Sequence, residues 1–295
     1  MKLKTALLIA SGVIAMHMTF AQKNIGPCNF TKTGTLKAYL KPANRSMPII
    51  MAHQGGTEDG FPGNSMATFE RTYEQVPCVM LEFDVRTTAD GLLVISHDDD
   101  LSLKTNGKGL LSKMYWEDAS QLKLKDSQGT VTEYPIPTFQ ELLTWSKTKN
   151  LILIVDKKPE TNIRKTVEML KSTGNISKSV LICYSIGEAR MAHQLAPDLM
   201  LAVGFNTKEL ITDVEKSGLP MESLVALTPR ELQDKSFYDK IHALNVISSL
   251  GTNGNIDTLR ADISKPLYQK IAASGPDIIC TDNPVLVQSI FQKKD

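Results

Sequence analysis

The chain has 295 residues, 42% of them hydrophobic and 22% charged, which fits one or two globular domains. With 18 Gly and 14 Pro it is neither collagen-like nor a low-complexity disordered chain, and four Cys are too few for a disulfide scaffold. Lys and Arg number 33 against 32 Asp and Glu, so no charge excess draws it to nucleic acid or to an anionic membrane surface.

The first 21 residues read as a secretory signal peptide. Lys2 and Lys4 form a basic start, residues 5–20 are mostly apolar, and Thr19 and Ala21 are small residues at the positions a signal peptidase inspects. The apolar run is at the short end for a membrane span, so cleavage before Gln22 is expected rather than an anchor helix. The mature chain is then exported, periplasmic or secreted, with no stable membrane insertion. Residues 22–46 form an N-terminal arm and residues 47–295 the folded domain. Cys28 lies too far beyond the apolar run to be a lipid-attachment site. Cys78, Cys183 and Cys280 sit in or beside apolar runs and read as small buried hydrophobes. Export permits a disulfide, and the sequence does not pair them.

Short apolar runs recur at residues 48–52, 79–85, 92–96, 151–155, 180–183, 200–204, 224–227, 243–248 and 277–280. Most are continuous rather than alternating, as in parallel strands covered on both faces. Amphipathic helical stretches lie between them. Asn64 or Ser65 can cap a helix whose apolar face is Met66, Phe69, Tyr73 and Val76, and Thr138 with Glu141 forms a capping box. Thr228, Pro229 and Glu231 carry the same signature. Strand followed by helix, repeated along the chain, predicts a (β/α)8 TIM barrel, with a doubly wound open sheet as competitor. No Gly-rich nucleotide fingerprint follows the first strand, which disfavours that competitor. Nine runs compete for eight places, and residues 224–227 are the weakest. Residues 86–91 leave no room for a helix between the second and third runs, expected as parallel neighbours. Six residues span at most ~20 Å, so the chain returns directly and leaves a gap in the helical layer.

Polar groups close the apolar runs where a barrel carries its chemistry. Glu82 and Asp84, one residue apart, share a face of their strand, and two such carboxylates repel unless a cation lies between them. Asp156 supplies a third oxygen, and a three-carboxylate set suits a hard divalent cation, Mg2+ or Ca2+, rather than zinc. The competing reading pairs Glu82 and Asp84 with Lys158 or Arg86 as structural salt bridges. His53 and His97 both end strands beside these carboxylates and fit an acid–base pair. His193 and His242 fall in helical stretches and read as incidental.

His53-Gln54-Gly55-Gly56, Pro62-Gly63-Asn64-Ser65, Glu82-Phe83-Asp84-Val85, Asp90-Gly91, His97-Asp98, Thr105-Asn106-Gly107, Ile136-Pro137-Thr138 and Thr281-Asp282 follow in this order. The ordered set resembles the glycerophosphodiester phosphodiesterase family, within the phosphatidylinositol-phospholipase-C-like barrels, over roughly residues 47–292. The resemblance implies a metal-dependent enzyme that hydrolyses glycerophosphodiesters to glycerol phosphate and an alcohol. It implies a cation on Glu82, Asp84 and Asp156, His53 and His97 as acid and base, and Lys158 on the phosphate. It also implies a small insertion after the third strand, at about residues 99–134, at the site rim.

Three positions depart from the family pattern: Gln54 stands where the family has Arg, Gly63 where it has Glu, and Asp156 where it has Glu. Gln54 keeps a donor to phosphate but loses the charge, at a cost on the order of 1–3 kcal/mol of binding. The alternatives are therefore a catalytically weakened phosphate- or sugar-binding barrel, or a phosphodiesterase with a different substrate. An intact phospholipid substrate would need an apolar rim, for which Met114, Tyr115 and Trp116 are candidates, though packing within the insertion is favoured. The resemblance implies a small-molecule phosphodiester as the substrate.

Overall fold

The structure, a computed structural model, describes residues 34–42 and 47–292. The expected leader at residues 1–21, Cys28 and the rest of the arm outside residues 34–42 lie beyond the described residues. Eleven strands are described: β1 Ile49–Ala52, β2 Met80–Thr87, β3 Leu93–Ile95, β4 Lys123–Lys125, β5 Val131–Pro135, β6 Ile152–Lys157, β7 Ser179–Ile182, β8 Met200–Gly204, β9 Leu224–Leu227, β10 Ile247–Gly251 and β11 Ile278–Thr281. Eight of them run parallel in the order β1-β2-β6-β7-β8-β9-β10-β11, and β1 pairs with β11 to close the barrel. The chain is thus an irregular (β/α)8 barrel.

Alternation along each strand sorts its side chains into two cores. Ile49, Met51, Met80, Ile152, Ile154, Val180, Met200, Ala202, Val225, Ile247 and Ile278 fill the barrel interior. Leu36, Tyr39 and Leu40 of the arm join that cluster. Their short helix Leu36–Tyr39 is capped by the Thr35 side chain, and Lys37 donates to the carbonyl of Pro197 ahead of β8 (3.3 Å). This places the arm at the strands' N-terminal end. Residues of the opposite parity, such as Leu81, Phe83 and Val85, pack outward against the helices. Ser65 Oγ caps the helix Met66–Gln75, and Thr138 caps Phe139–Ser146 by accepting from the Glu141 N–H.

The structure departs from the sequence reading in five places. The surplus run is residues 92–96, not 224–227, which form the barrel strand β9. Strand β3 pairs antiparallel with β2, with Val85 opposite Ile95 and Thr87 opposite Leu93. A tight turn makes the reversal: Gly91 has φ +82°, its N–H donates to the Thr88 carbonyl (2.9 Å), and the Thr88 N–H donates to Leu92 O (3.0 Å). The Thr228 hydroxyl starts no helix. It donates to Ser249 O on β10 (2.9 Å), and the helix begins only at Lys235 under an Asp234 cap. Residues 243–246 are not strand: Ala243 ends that helix, and β10 begins at Ile247. Finally, Cys78 is disulfide-bonded rather than a free buried hydrophobe, whereas Cys183 is a free, buried thiol.

Residues 99–134 carry the short helices Leu101–Lys104 and Trp116–Ala119 and the antiparallel pair β4–β5. Leu101, Leu111, Ala119 and Leu124 form a small core with Val94 and Ile136, against which Met114 and Trp116 pack. Only Tyr115 of the three rim candidates stands out, 63% exposed. Among the described residues no helix is long and apolar enough to cross a membrane.

Candidate active site

The acidic cluster is the upper continuation of the interior rows. Met80, Glu82 and Asp84 share the inward face of β2, and Ile152, Ile154 and Asp156 that of β6. The register sets Asp84 directly beside Asp156 and Glu82 beside Ile154. One carboxylate oxygen from each of Glu82, Asp84 and Asp156 falls within 4.8 Å of the others. Glu82 is 4% exposed and Asp84 1%. Burial, then the charge of Asp84, pushes the Glu82 carboxyl up to about 8 against the lowering effect of His53. Three hard oxygen donors gathered at one point fit a divalent cation.

Neighbouring groups hold each carboxylate in place. The Gln54 N–H donates to Glu82 Oε2 (2.8 Å), from a backbone in the left-handed region (φ +52°). Asn64 donates to Asp84 Oδ2 (2.7 Å) and accepts from the Asp84 N–H (3.2 Å). Lys158 Nζ bridges Asp84 (2.5 Å) and Asp156 (2.9 Å), and Tyr184 donates its hydroxyl to Asp156 Oδ1 (2.6 Å). Part of the salt-bridge reading therefore holds: Lys158 is bound to two of the three carboxylates. Arg86 is not, since it pairs with Glu160 and donates to His97 O.

Each histidine has its Nδ1 against an aspartate. His53 meets Asp282 at 2.7 Å and His97 meets Asp98 at 2.9 Å. Burial alone would lower the His53 pKa, but the Asp282 hydrogen bond and the charges of Glu82, Asp282 and Asp84 overcome it and raise the value. His53 Nε2 lies 3.4 Å from the Asn253 amide. Asp257 fixes the turn that carries Asp282, accepting from the Asp282 N–H (2.6 Å) and the Thr281 hydroxyl (3.0 Å). Although β3 runs antiparallel, it returns His97 to the mouth: the Ser96 N–H donates to Asp84 O (3.0 Å). Gln54, Gly63, Asn64, Ser96, His97 and residues of the insertion line one narrow cleft.

All seven residues expected from the sequence thus lie at the C-terminal mouth of the barrel. The sequence reading did not assign Asn64, Asp98, Tyr184, Asn253 or Asp282 to the site. Asn64, Asp98 and Asp282 stand inside quoted motifs. Tyr184 follows an apolar run directly, a position that marks the mouth in this fold.

The family model described as "Glycerophosphoryl diester phosphodiesterase family" matches residues 53–285. A crystal structure of a glycerophosphoryl diester phosphodiesterase from Parabacteroides distasonis superposes with a TM-score of 0.81 at 30% identity, covering 86% of this chain and 89% of that one. A phosphodiesterase from Oleispira antarctica, solved with the product sn-glycerol-3-phosphate, shares the fold (TM-score 0.65, 21% identity, 84% and 98% of the two chains). The probable glycerophosphodiester phosphodiesterase 2 of Mycobacterium tuberculosis is 29% identical over 147 residues, which is 50% of this chain and 52% of that protein. The chain thus spans about half the length of that relative. With most of the barrel and every motif of the mouth inside the matched span, the chain belongs to the glycerophosphoryl diester phosphodiesterase family.

Proposed function

We propose that this protein is an exported, divalent-cation-dependent hydrolase of glycerophosphodiesters, releasing glycerol phosphate and an alcohol. The observation that carries the reading is three inward carboxylates within 4.8 Å, flanked by two aspartate-held imidazoles. Glu82, Asp84 and Asp156 would hold Mg2+ or Ca2+, and the bound ion supplies Lewis-acid stabilisation of charge on a phosphate oxygen. The remaining work falls to side chains. Lys158, fixed by two carboxylates, directs positive charge toward the same oxygens. The Gln54 carboxamide offers a neutral donor. One imidazole takes the proton of the nucleophile, a water or the neighbouring glycerol hydroxyl, and the other protonates the leaving oxygen. Asp282 and Asp98 fix the Nδ1 side of each ring, so the exchange falls to Nε2, which in His53 faces the Asn253 amide (3.4 Å).

The basic-then-apolar first 21 residues and the disulfide at Cys78 support export, because disulfides persist in oxidising compartments. The test of function is hydrolysis of glycerophosphocholine with added Mg2+ or Ca2+. Chelation should stop turnover, and turnover that persists without metal would refute the cation's role. Fractionation of expressing cells tests export, and a cytoplasmic, full-length product would sink it.

A further inference from the structure

A narrow cleft opens at the mouth beside His97, between the loop after β1, Gly63-Asn64 and the insertion. Its volume is about 30 Å³, room for a small polar group. Its charged lining residues differ in how they are engaged. Asp126 is saturated by the N–H groups of Gly60 (3.0 Å), Gln128 (3.0 Å) and Thr130 (2.9 Å). Lys125 donates to Ser102 O (2.8 Å). Lys104, at the end of the helix Leu101–Lys104, has no hydrogen bond or ion pair among the described residues.

Gln54 closes the cleft from the barrel side. It is only 9% exposed, yet its carboxamide has no hydrogen-bond partner among the described residues. The amide faces the cleft without a protein partner, so a ligand atom there can take up its hydrogen bond. Its backbone is pinned at both ends: the N–H to Glu82, the carbonyl to the Asn64 N–H (2.8 Å). Gly63 makes the space for its side chain. A Cβ there would lie 2.8 Å from Gln54 Oε1 and 3.0 Å from Gln54 Cβ, so any larger residue would displace the amide.

We propose that this cleft is an anion subsite in which Lys104 and the Gln54 carboxamide together hold a non-bridging phosphate oxygen of the substrate. The charge comes from the insertion, and the neutral amide sets the oxygen's position from the barrel. The insertion is then part of phosphate recognition, and Lys104 is a substrate-binding residue. This inference rests on the diesterase reading above.

The experiment compares wild type with Lys104→Ala and Lys104→Arg on three diesters: glycerophosphocholine, glycerophosphoglycerol and glycerophosphoserine. Loss of one charge-assisted contact should raise KM about tenfold. The rise should be equal for all three diesters, with a smaller change in kcat, and Arg should retain near-wild-type values. Calorimetric binding of sn-glycerol 3-phosphate should weaken about tenfold in Lys104→Ala and lose part of its salt dependence. Unchanged KM and unchanged product affinity would overturn the proposal. So would a loss confined to the serine diester, which would place Lys104 on the alcohol. A wild-type protein that binds glycerol 3-phosphate but cleaves no diester sinks the activity reading alone, and the binding comparison still decides Lys104.

Discussion

Uptake of a divalent cation should expel a proton from Glu82. The carboxyl is buried beside Asp84 and Asp156, and without a cation it is pushed up to about 8. At pH 6 it is therefore protonated, and an ion that needs the carboxylate must displace that proton. Two pH units below the pKa, displacement lowers apparent affinity about 100-fold, or ~2.7 kcal/mol at 1.36 kcal/mol per unit. The Kd for Mg2+ or Ca2+ should rise about tenfold per unit as pH falls from 8 to 6. Calorimetry in buffers of different ionisation enthalpy should count about one proton released per ion at pH 6. The same shift acts on stability. Between its unperturbed value of 4.5 and about 8 the folded, metal-free chain binds more protons at Glu82 than the unfolded chain. Stability of the metal-free protein should fall as pH rises through that window, and saturating cation should cancel the fall. A pH-independent Kd with no proton release would refute the placement of a charged Glu82 in the ion's coordination.

Other perturbations reach the remaining parts of the site and its support. Asp282→Asn removes the carboxylate at His53 Nδ1 (2.7 Å) and should lower kcat about 10–100-fold with little change in Tm, read by steady-state kinetics and thermal melting. His97→Ala should lower turnover by a factor of ~100 or more. Phe83, fully buried between Glu82 and Asp84 in sequence, points outward against Phe69 and Phe139 (ring centroids 6.1 and 5.8 Å). Phe83→Ala should cost ~3–5 kcal/mol by denaturant unfolding. Gly55→Ala would place a Cβ 2.5 Å from the Phe69 ring at φ +82°, and should lower both Tm and activity, because the same loop carries His53 and Gln54.

The barrel was legible because its strands are apolar on both faces, a direct consequence of an interior packed by one parity and a helical layer packed by the other. That same property hid the direction of β3. Leu93 and Ile95 join the outer core while Val94 joins the core of the insertion, so the run reads like a parallel strand. Its direction is written in the turn instead, where Asp90-Gly91 is a hairpin signal. The shared face of Glu82 and Asp84 was legible from their spacing alone. Asp282 was not assigned because its partner His53 is 229 residues away, and no local periodicity spans that distance.

The inward row on β2 also joins stability to function. Met80 seals the interior, and two and four residues later the same geometry delivers Glu82 and Asp84 into a space nearly closed to water. Burial that would be favourable for another methionine is unfavourable for a carboxylate. The chain meets that cost with fixed donors: the Gln54 N–H on Glu82, Asn64 and Lys158 on Asp84, and Lys158 and Tyr184 on Asp156. Those donors come from three βα connections: Gln54 and Asn64 from the loop between β1 and the Met66–Gln75 helix, Lys158 from the one after β6 and Tyr184 from the one after β7. Among the described residues Glu82 receives one backbone donor, which does not offset the burial and the charge of Asp84 that push its carboxyl up, so the site retains an unmet demand for positive charge. That residual demand is what a divalent ion satisfies, so the electrostatic strain on one inward side chain and the site's capacity for phosphodiester chemistry have the same origin.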